Sequence, residues 1–409
     1  MKSINILIMN KMHIFRFILF GLFFTMMACN PAQKIASPKS VGLNSDSLKV
    51  AEGVMQKYVD EGKLAGISTM VIKNGKMVER ANYGYADLET KKPVEDNTIF
   101  RIYSMTKPIT AVALMTLYEE GKFQLDDKVS KFIPEFASTM VYKSVGKSFT
   151  LEKPVNEITI RNLLTHSSGI SYGWDPKSYV DSLYRVAKVG GWDATIGEKV
   201  KILAGLPLNF QPGTEWKYGL SIDVAGYLVE VMSGMPLDVY MKTRIFEPLK
   251  MEDTGFYVPK EKLGRLSQMN RFDKAGVLKS SDGGFNKPTT LFSGGGGLVS
   301  TMNDYSRFCR MLLNGGNLDG KRILMPETVK MIMTNQLPKS AKYKDGYGYG
   351  LSGEVNLTSG EYSWSGAAST TFCIDPANDL IIITYTQLMP NNFEYAGKFK
   401  KMVKGAFVK

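Results

Sequence analysis

The sequence predicts an α/β fold: one antiparallel sheet assembled from the two ends of the chain, flanked by terminal helices, with a mostly helical lobe inserted between. Three observations lead there. Asn74-Gly75 separates two apolar runs near the start, a strong hairpin signal. Four strand-like runs lie between residues 347 and 386. The middle, from about 101 to 284, carries helix and loop patterns instead of alternation.

The chain opens on a targeting segment, residues 1–28. Lys2, Lys11 and Arg16 form a positive head. The apolar run at 17–28 is too short to span a bilayer comfortably. It ends in Met26-Met27-Ala28-Cys29, which resembles the processing site of bacterial lipoproteins. Processing there makes Cys29 the lipidated first residue, and its acyl chains anchor the protein to the cell envelope, facing the periplasm or on the outer membrane. Residues 29–44 then read as a polar tether. The domain covers 45–405, with α/β parts near 45–100 and 285–409 and a helical part near 101–284.

Residues 45–61 have the stripe of an amphipathic helix. The hairpin strands are 66–73 and 76–85. The strongest helix runs from Ser104 to Glu120 and is stopped by Gly121. It is apolar nearly all round, so it belongs between layers. Pro108 lies in its first turn, where proline does least harm. Further helices follow Ser221 as far as Gly234 and span 303–314. Strands at 347–353, 361–367, 371–375 and 380–386 come next, then a closing helix at about 393–408.

The 409 residues are 44% hydrophobic, enough for a large core. Net charge is +12; removing the three basic residues of the targeting segment leaves +9. No uninterrupted basic run exceeds two residues, and the lysines are spread along the chain rather than gathered into a stripe, so nucleic acid is not an expected partner. Cys309 sits on a helical stripe with Tyr305, Phe308 and Leu312, and Cys373 within a strand; both read as small core residues. With His13 lost in processing, His166 is the only histidine left. A histidine-rich zinc site is therefore excluded, and neither metal nor cofactor is expected.

The chemistry centres on Ser104-Met105-Thr106-Lys107. Side chains three apart on a helix share a face, so this hydroxyl and amine can exchange a proton. A serine attacks poorly until a neighbouring base takes that proton. The positive end of a helix also favours the negative charge that develops there. Ser144 and Lys147 repeat the spacing in a polar stretch with no helical pattern. Ser171, in Gly169-Ile170-Ser171-Tyr172-Gly173, matches a nucleophile elbow, but that fold needs a later histidine and none follows. Gly294 to Gly297 lacks the Lys-Ser/Thr of a phosphate loop, and reads as backbone passing close to another element. Tyr218 stands in a turn beside Lys217, as a proton-relaying phenol or a packed aromatic.

Together these strings resemble the serine β-lactamase and penicillin-binding-protein-like hydrolases, in particular the class C β-lactamase-related branch with its family VIII carboxylesterases. The likeness runs from about residue 45 to the C-terminus. It rests on the string 100–107, on Leu163-Leu164-Thr165-His166-Ser167-Ser168-Gly169, on Pro212-Gly213-Thr214, and on 294–301 with Asp304. The resemblance implies Ser104 as acylated nucleophile, Lys107 as its base and Tyr218 as proton relay. It places the substrate-binding third motif on Trp364-Ser365-Gly366, and the oxyanion hole on the backbone N–H groups of Ser104 and Ala367. In the family the string around His166 is structural.

Two departures sharpen the reading. The asparagine of the family's Tyr-x-Asn is absent from Tyr218-Gly219-Leu220, and Asp223 follows, serving the helix start or anchoring Tyr218 or Lys107. Trp364 replaces the cation that helps β-lactamases bind a substrate carboxylate; an indole offers an apolar wall and one N–H. The expected function is thus an acyl-enzyme hydrolase of small ester or related acyl substrates. The rivals are a β-lactamase or D-amino-acid peptidase, and an inactive module that binds cell-wall fragments.

Overall fold

The computed structural model describes residues 35–145 and 148–408. The targeting segment, Cys29 and Lys147 lie outside the described residues. Asn44 caps α1 (Ser45–Asp60) by accepting from the Ser47 N–H at 2.9 Å, a contact worth about 1 kcal/mol. Strands β1 (Gly66–Lys73) and β2 (Lys76–Asp87) follow, and β3 (Lys92–Pro93) edges them. Asn74 and Gly75 both take the left-handed conformation, φ 51 and 69, that a tight hairpin turn requires. Three helices build the interior: α2 (Thr106–Glu119), α3 (Ser221–Ser233) and α4 (Met302–Leu313). The chain then returns to strands β4 (Tyr347–Tyr349), β5 (Glu354–Asn356), β6 (Tyr362–Gly366), β7 (Thr370–Asp375) and β8 (Leu380–Tyr385), and closes on α5 (Glu394–Gly405).

These eight strands form one sheet in the order β4-β5-β6-β7-β8-β1-β2-β3. The ends of the chain meet at its centre, where β1 runs antiparallel to β8 with Ser68 opposite Tyr385 and Lys73 opposite Leu380. Alternate residues serve different cores. Met70, Ile72, Ile381 and Ile383 face the interior shared with α2 and α3. Ile67, Val71, Leu380 and Ile382 face an outer core with Leu48 and Met55 of α1 and Phe399 and Val403 of α5. Both faces of the central strands are covered, which is why they read as unbroken apolar runs. In α2 every residue from Thr106 to Leu117 is buried, as its all-round apolar pattern predicts.

Four expectations change. Residues 36–44 are not a free tether: the Ala36 N–H donates to Met77, the Asn44 N–H donates to Ala406, and Leu43 is fully buried against the sheet's outer core. The run at 347–353 is not one strand, because it reverses after Tyr349 into the β4–β5 pair. The Ser352 N–H donates to Leu164 there at 2.8 Å, drawing the turn onto the helical lobe. The lobe also carries short hairpins, Val141–Val145 with Ser148–Glu152 and Met269–Phe272 with Leu278–Ser281. Ser144 sits in the first of them, in a strand and not at a helix start. Finally, α2 begins at Thr106 and not at Ser104.

Glu79 is buried on β2. It accepts from Thr69 Oγ1 at 2.6 Å, and its second oxygen has no partner. Burial, with the Glu52 charge nearby, pushes its carboxyl up to about 8 from an ordinary 4.5. Between those values the folded protein holds a proton that the unfolded chain has lost, so stability falls as pH rises from about 4.5 to about 8. Glu79→Gln keeps the shape and removes the ionisation. Its Tm should exceed that of the wild type at pH 9 and match it near pH 4; an equal offset at both values would rule out this carboxyl as the cause.

Candidate active site

The site begins where β6, α2 and two lobe loops converge. Tyr103–Met105 is a single 3₁₀ turn leading into α2, and Tyr103 takes a left-handed φ of 41. Ser104 therefore stands just outside the helix and Lys107 inside its first turn. The spacing still brings them together: Lys107 Nζ lies 3.1 Å from Ser104 Oγ. Lys107 is fully buried. It also donates to the Tyr172 hydroxyl at 3.0 Å and to the carbonyl of Gly295. None of these three partners is a carboxylate.

The glycine run explains the third partner. Gly295 lies so close to the Asp223 carboxylate that a Cβ there would overlap Oδ2. Asp223 also accepts from Ser293 Oγ at 2.6 Å. It occupies the first turn of α3, as expected of a residue at a helix start, but its side chain grips the loop that presents the Gly295 carbonyl to Lys107.

Tyr218 is held by the strings that flank it. The Lys217 N–H donates to the carbonyl of His166 at 2.9 Å, the Gly213 N–H to Ser167 at 2.8 Å, and Ser168 Oγ meets Ser221 Oγ at 2.8 Å. The Tyr218 ring centroid comes 4.7 Å from Lys107 Nζ. His166 is buried 4.9 Å from that ring, and neither of its nitrogens has a partner. Burial, then the Lys107 charge, holds His166 well below its ordinary value. It packs as a neutral aromatic, and the Ser104 hydroxyl has Lys107 as its neighbour.

Tyr172 is the residue that sequence reasoning missed. In the sequence it stands only as part of the elbow-like string at 169–173, whose signal points to Ser171. Ser171 is buried and its hydroxyl accepts from the Gly173 N–H. Tyr172 reaches Lys107 and stacks on Trp174 at 4.2 Å and 7°. Burial, then Tyr218 and the Asp223 charge, pushes its phenol well above the ordinary value.

On the other side stands β6. Strand β5 pairs only with Tyr362 and Ser363, so the edge of Trp364, Ser365 and Gly366 is unpaired on that flank. The end of β6 presses on the Ser104 turn: a Cβ on Gly366 would overlap the carbonyl oxygen of Ile102. Among the described residues, no backbone acceptor occupies the N–H of Ser104 or of Ala367. Trp364 turns toward Tyr218, ring centroids 5.6 Å apart, and meets Tyr349 edge-on at 5.2 Å; Ser365 points to the opposite face. The Trp364 N–H is buried without a partner. The indole thus supplies the apolar wall, but not the exposed donor that its chemistry also allowed.

A family model described as Beta-lactamase matches residues 51–406. The chain belongs to the beta-lactamase family. It is a serine hydrolase of that family, with the fold its motifs predicted. It is 34% identical over 361 residues to Protein Rv1367c of Mycobacterium tuberculosis, covering 82% of this chain and 89% of that one. It is 31% identical over 370 residues to a lovastatin esterase of Penicillium rubens, covering 80% and 89%. A solved structure described as EstCE1, a hydrolase with promiscuous acyltransferase activity, matches with a TM-score of 0.74 at 26% identity, over 89% of this chain and 99% of that one.

Tyr172→Phe removes one oxygen from the Lys107 amine and leaves the ring stack. A hydrogen bond to a charged or reacting group is worth about 1.5–3 kcal/mol, so labelling of the protein by a serine-reactive fluorophosphonate should slow about tenfold or more. An unchanged labelling rate would reduce Tyr172 to packing.

Proposed function

We propose that this beta-lactamase-family hydrolase cleaves carboxylic esters through an acyl-enzyme on Ser104. Ser104 Oγ bonds to the substrate carbonyl carbon while its proton passes to Lys107 Nζ. The N–H groups of Ser104 and Ala367 receive the oxyanion; one such donor is typically worth about 3 kcal/mol in the transition state. The C–O bond to the alcohol then breaks, and Tyr218 delivers a proton to the departing oxygen, replenished from Lys107. Water attacks the acyl-enzyme, gives its proton back through the same groups, and releases the acid and free Ser104.

The observation that carries an ester over a β-lactam is Trp364. It stands where the family's β-lactamases hold a cation for the substrate carboxylate, and it is packed among Tyr218 and Tyr349 with its N–H buried. The name of the lovastatin esterase supports the same choice, and the acyltransferase activity named for EstCE1 supports an acyl-enzyme. Ser104→Ala should abolish hydrolysis of a short aryl ester with the far-UV CD spectrum unchanged. A residual rate near that of wild type would sink the nucleophile. The wild type should turn over the ester at least about tenfold faster than a chromogenic cephalosporin, the loss expected when a charged partner is missing. Comparable rates would restore the β-lactamase reading.

We also propose that the protein works at the envelope membrane, anchored by lipid on Cys29, as the Met26 to Cys29 string supports. Cys29→Ala should move the protein from the membrane fraction to the soluble one; retention in the membrane would point to an uncleaved segment.

A further inference from the structure

A cavity of about 530 Å³ opens beside Tyr103, the residue joined to Ser104. Its walls are Tyr103, Trp192, Phe256 and Phe285, with Pro288 beside them. Tyr103 meets Phe285 edge to face at 5.5 Å, and Phe285 meets Trp192 at 5.8 Å. Lys287 and Asp193 stand at its exposed edge, one charge of each sign. The Lys199 ammonium lies 5.9 Å from the Trp192 ring centroid and braces that indole.

The cavity is built rather than incidental. Tyr103 and Phe285 both hold left-handed backbone, φ 41 and 65, a strain that persists only where the surroundings impose it. Arg101 imposes it on the Phe285 side. Its guanidinium is buried, and donates through Nε and Nη2 to the Gly284 carbonyl at 3.0 and 2.7 Å and through Nη1 to Ser267 at 2.6 Å. The Phe285 carbonyl accepts from the Val258 N–H at 2.8 Å.

Position decides which half of an ester it takes. Its lining includes none of Ser104, Lys107, Tyr172, Tyr218, Trp364 or Ala367, and reaches the nucleophile's turn through Tyr103 alone. In the mechanism proposed above Tyr218 protonates the departing oxygen, which puts the alcohol half on the Tyr218 side. The Tyr103 side is left for the other half. We propose that this cavity receives the acyl group, and that the substrates are esters of bulky, uncharged acids with an aryl or alicyclic end. The inference rests on the acyl-enzyme reading above. Volumes in this range suit drug-sized ligands, and an acetyl group would leave most of the space to water.

Two matched comparisons test it. The first pairs p-nitrophenyl acetate with p-nitrophenyl phenylbutyrate, changing only the acyl group. The second pairs methyl acetate with naphthyl acetate, changing only the alcohol. In the wild type, kcat/KM for the phenylbutyrate should exceed that for the acetate by about tenfold or more, the minimum expected of an added apolar group in a fitted pocket. In Phe285→Ala and Trp192→Ala that ratio should fall toward one, while the alcohol ratio stays at its wild-type value. Phe285→Leu, which refills part of the volume, should recover part of the acyl ratio. Because each ratio is taken within one protein, a partly unfolded variant lowers both rates and leaves the ratio intact. A wild-type acyl ratio of one or less, or variants that shift the alcohol ratio instead, would overturn the proposal. If Ser104→Ala retained activity, the acyl-enzyme reading would fall separately, and the two ratios would still report which half the cavity holds.

Discussion

The rest of the structure depends on one constraint: the Lys107 amine is fully out of water and is met by three oxygens, from Ser104, Tyr172 and Gly295. A buried polar group left without partners costs about 1–3 kcal/mol, so each partner has to be delivered by its own element. The 3₁₀ turn brings the serine. The loop after residue 168 brings the tyrosine. The glycine run, gripped by Asp223, brings the carbonyl. The length of α2 buried on all sides gives these elements a rigid post to converge on.

Around the amine lies an aromatic shell: Tyr172 on Trp174, Tyr218 against His166 and Trp364, Trp364 against Tyr349. Such a shell excludes water and offers few charges, which suits a neutral substrate and strengthens any dipole aimed at the reacting carbonyl. His166 belongs to this packing. Its nitrogens have no partner, and burial, then the neighbouring Lys107, depresses its basicity, so it serves as an aromatic wall and not as a base.

The frame was legible because its signals are local. The Asn74-Gly75 turn, the stops at Gly121 and Gly234, and the apolar runs that became β1, β7 and β8 each declare themselves within a few residues. The misreadings were of another kind. Residues 36–44 look polar and free, yet they dock because Leu43 finds a core made by distant α1 and α5. The run at 347–353 looks like one strand, yet it turns where Ser352 finds Leu164 of the lobe. Ser104 looks like the first residue of a helix, yet the pressure of Gly366 on Ile102 marks a turn shaped by the neighbouring sheet.

By itself the sequence determined the family, the antiparallel sheet built from both ends, and the pairing of Ser104 with Lys107, because residues three apart face the same way whether the turn between them is 3₁₀ or α. It also put Trp364, and no cation, at the position that the family resemblance assigns to the third motif. Only the tertiary structure decided that Tyr172 would be the second side chain on Lys107, that Asp223 would act through Gly295, that the Trp364 N–H would be buried, and that an aromatic cavity would open beside Tyr103. Each of these joins residues tens to hundreds of positions apart, and no local pattern encodes which of many buried aromatics or carboxylates will meet once the layers close.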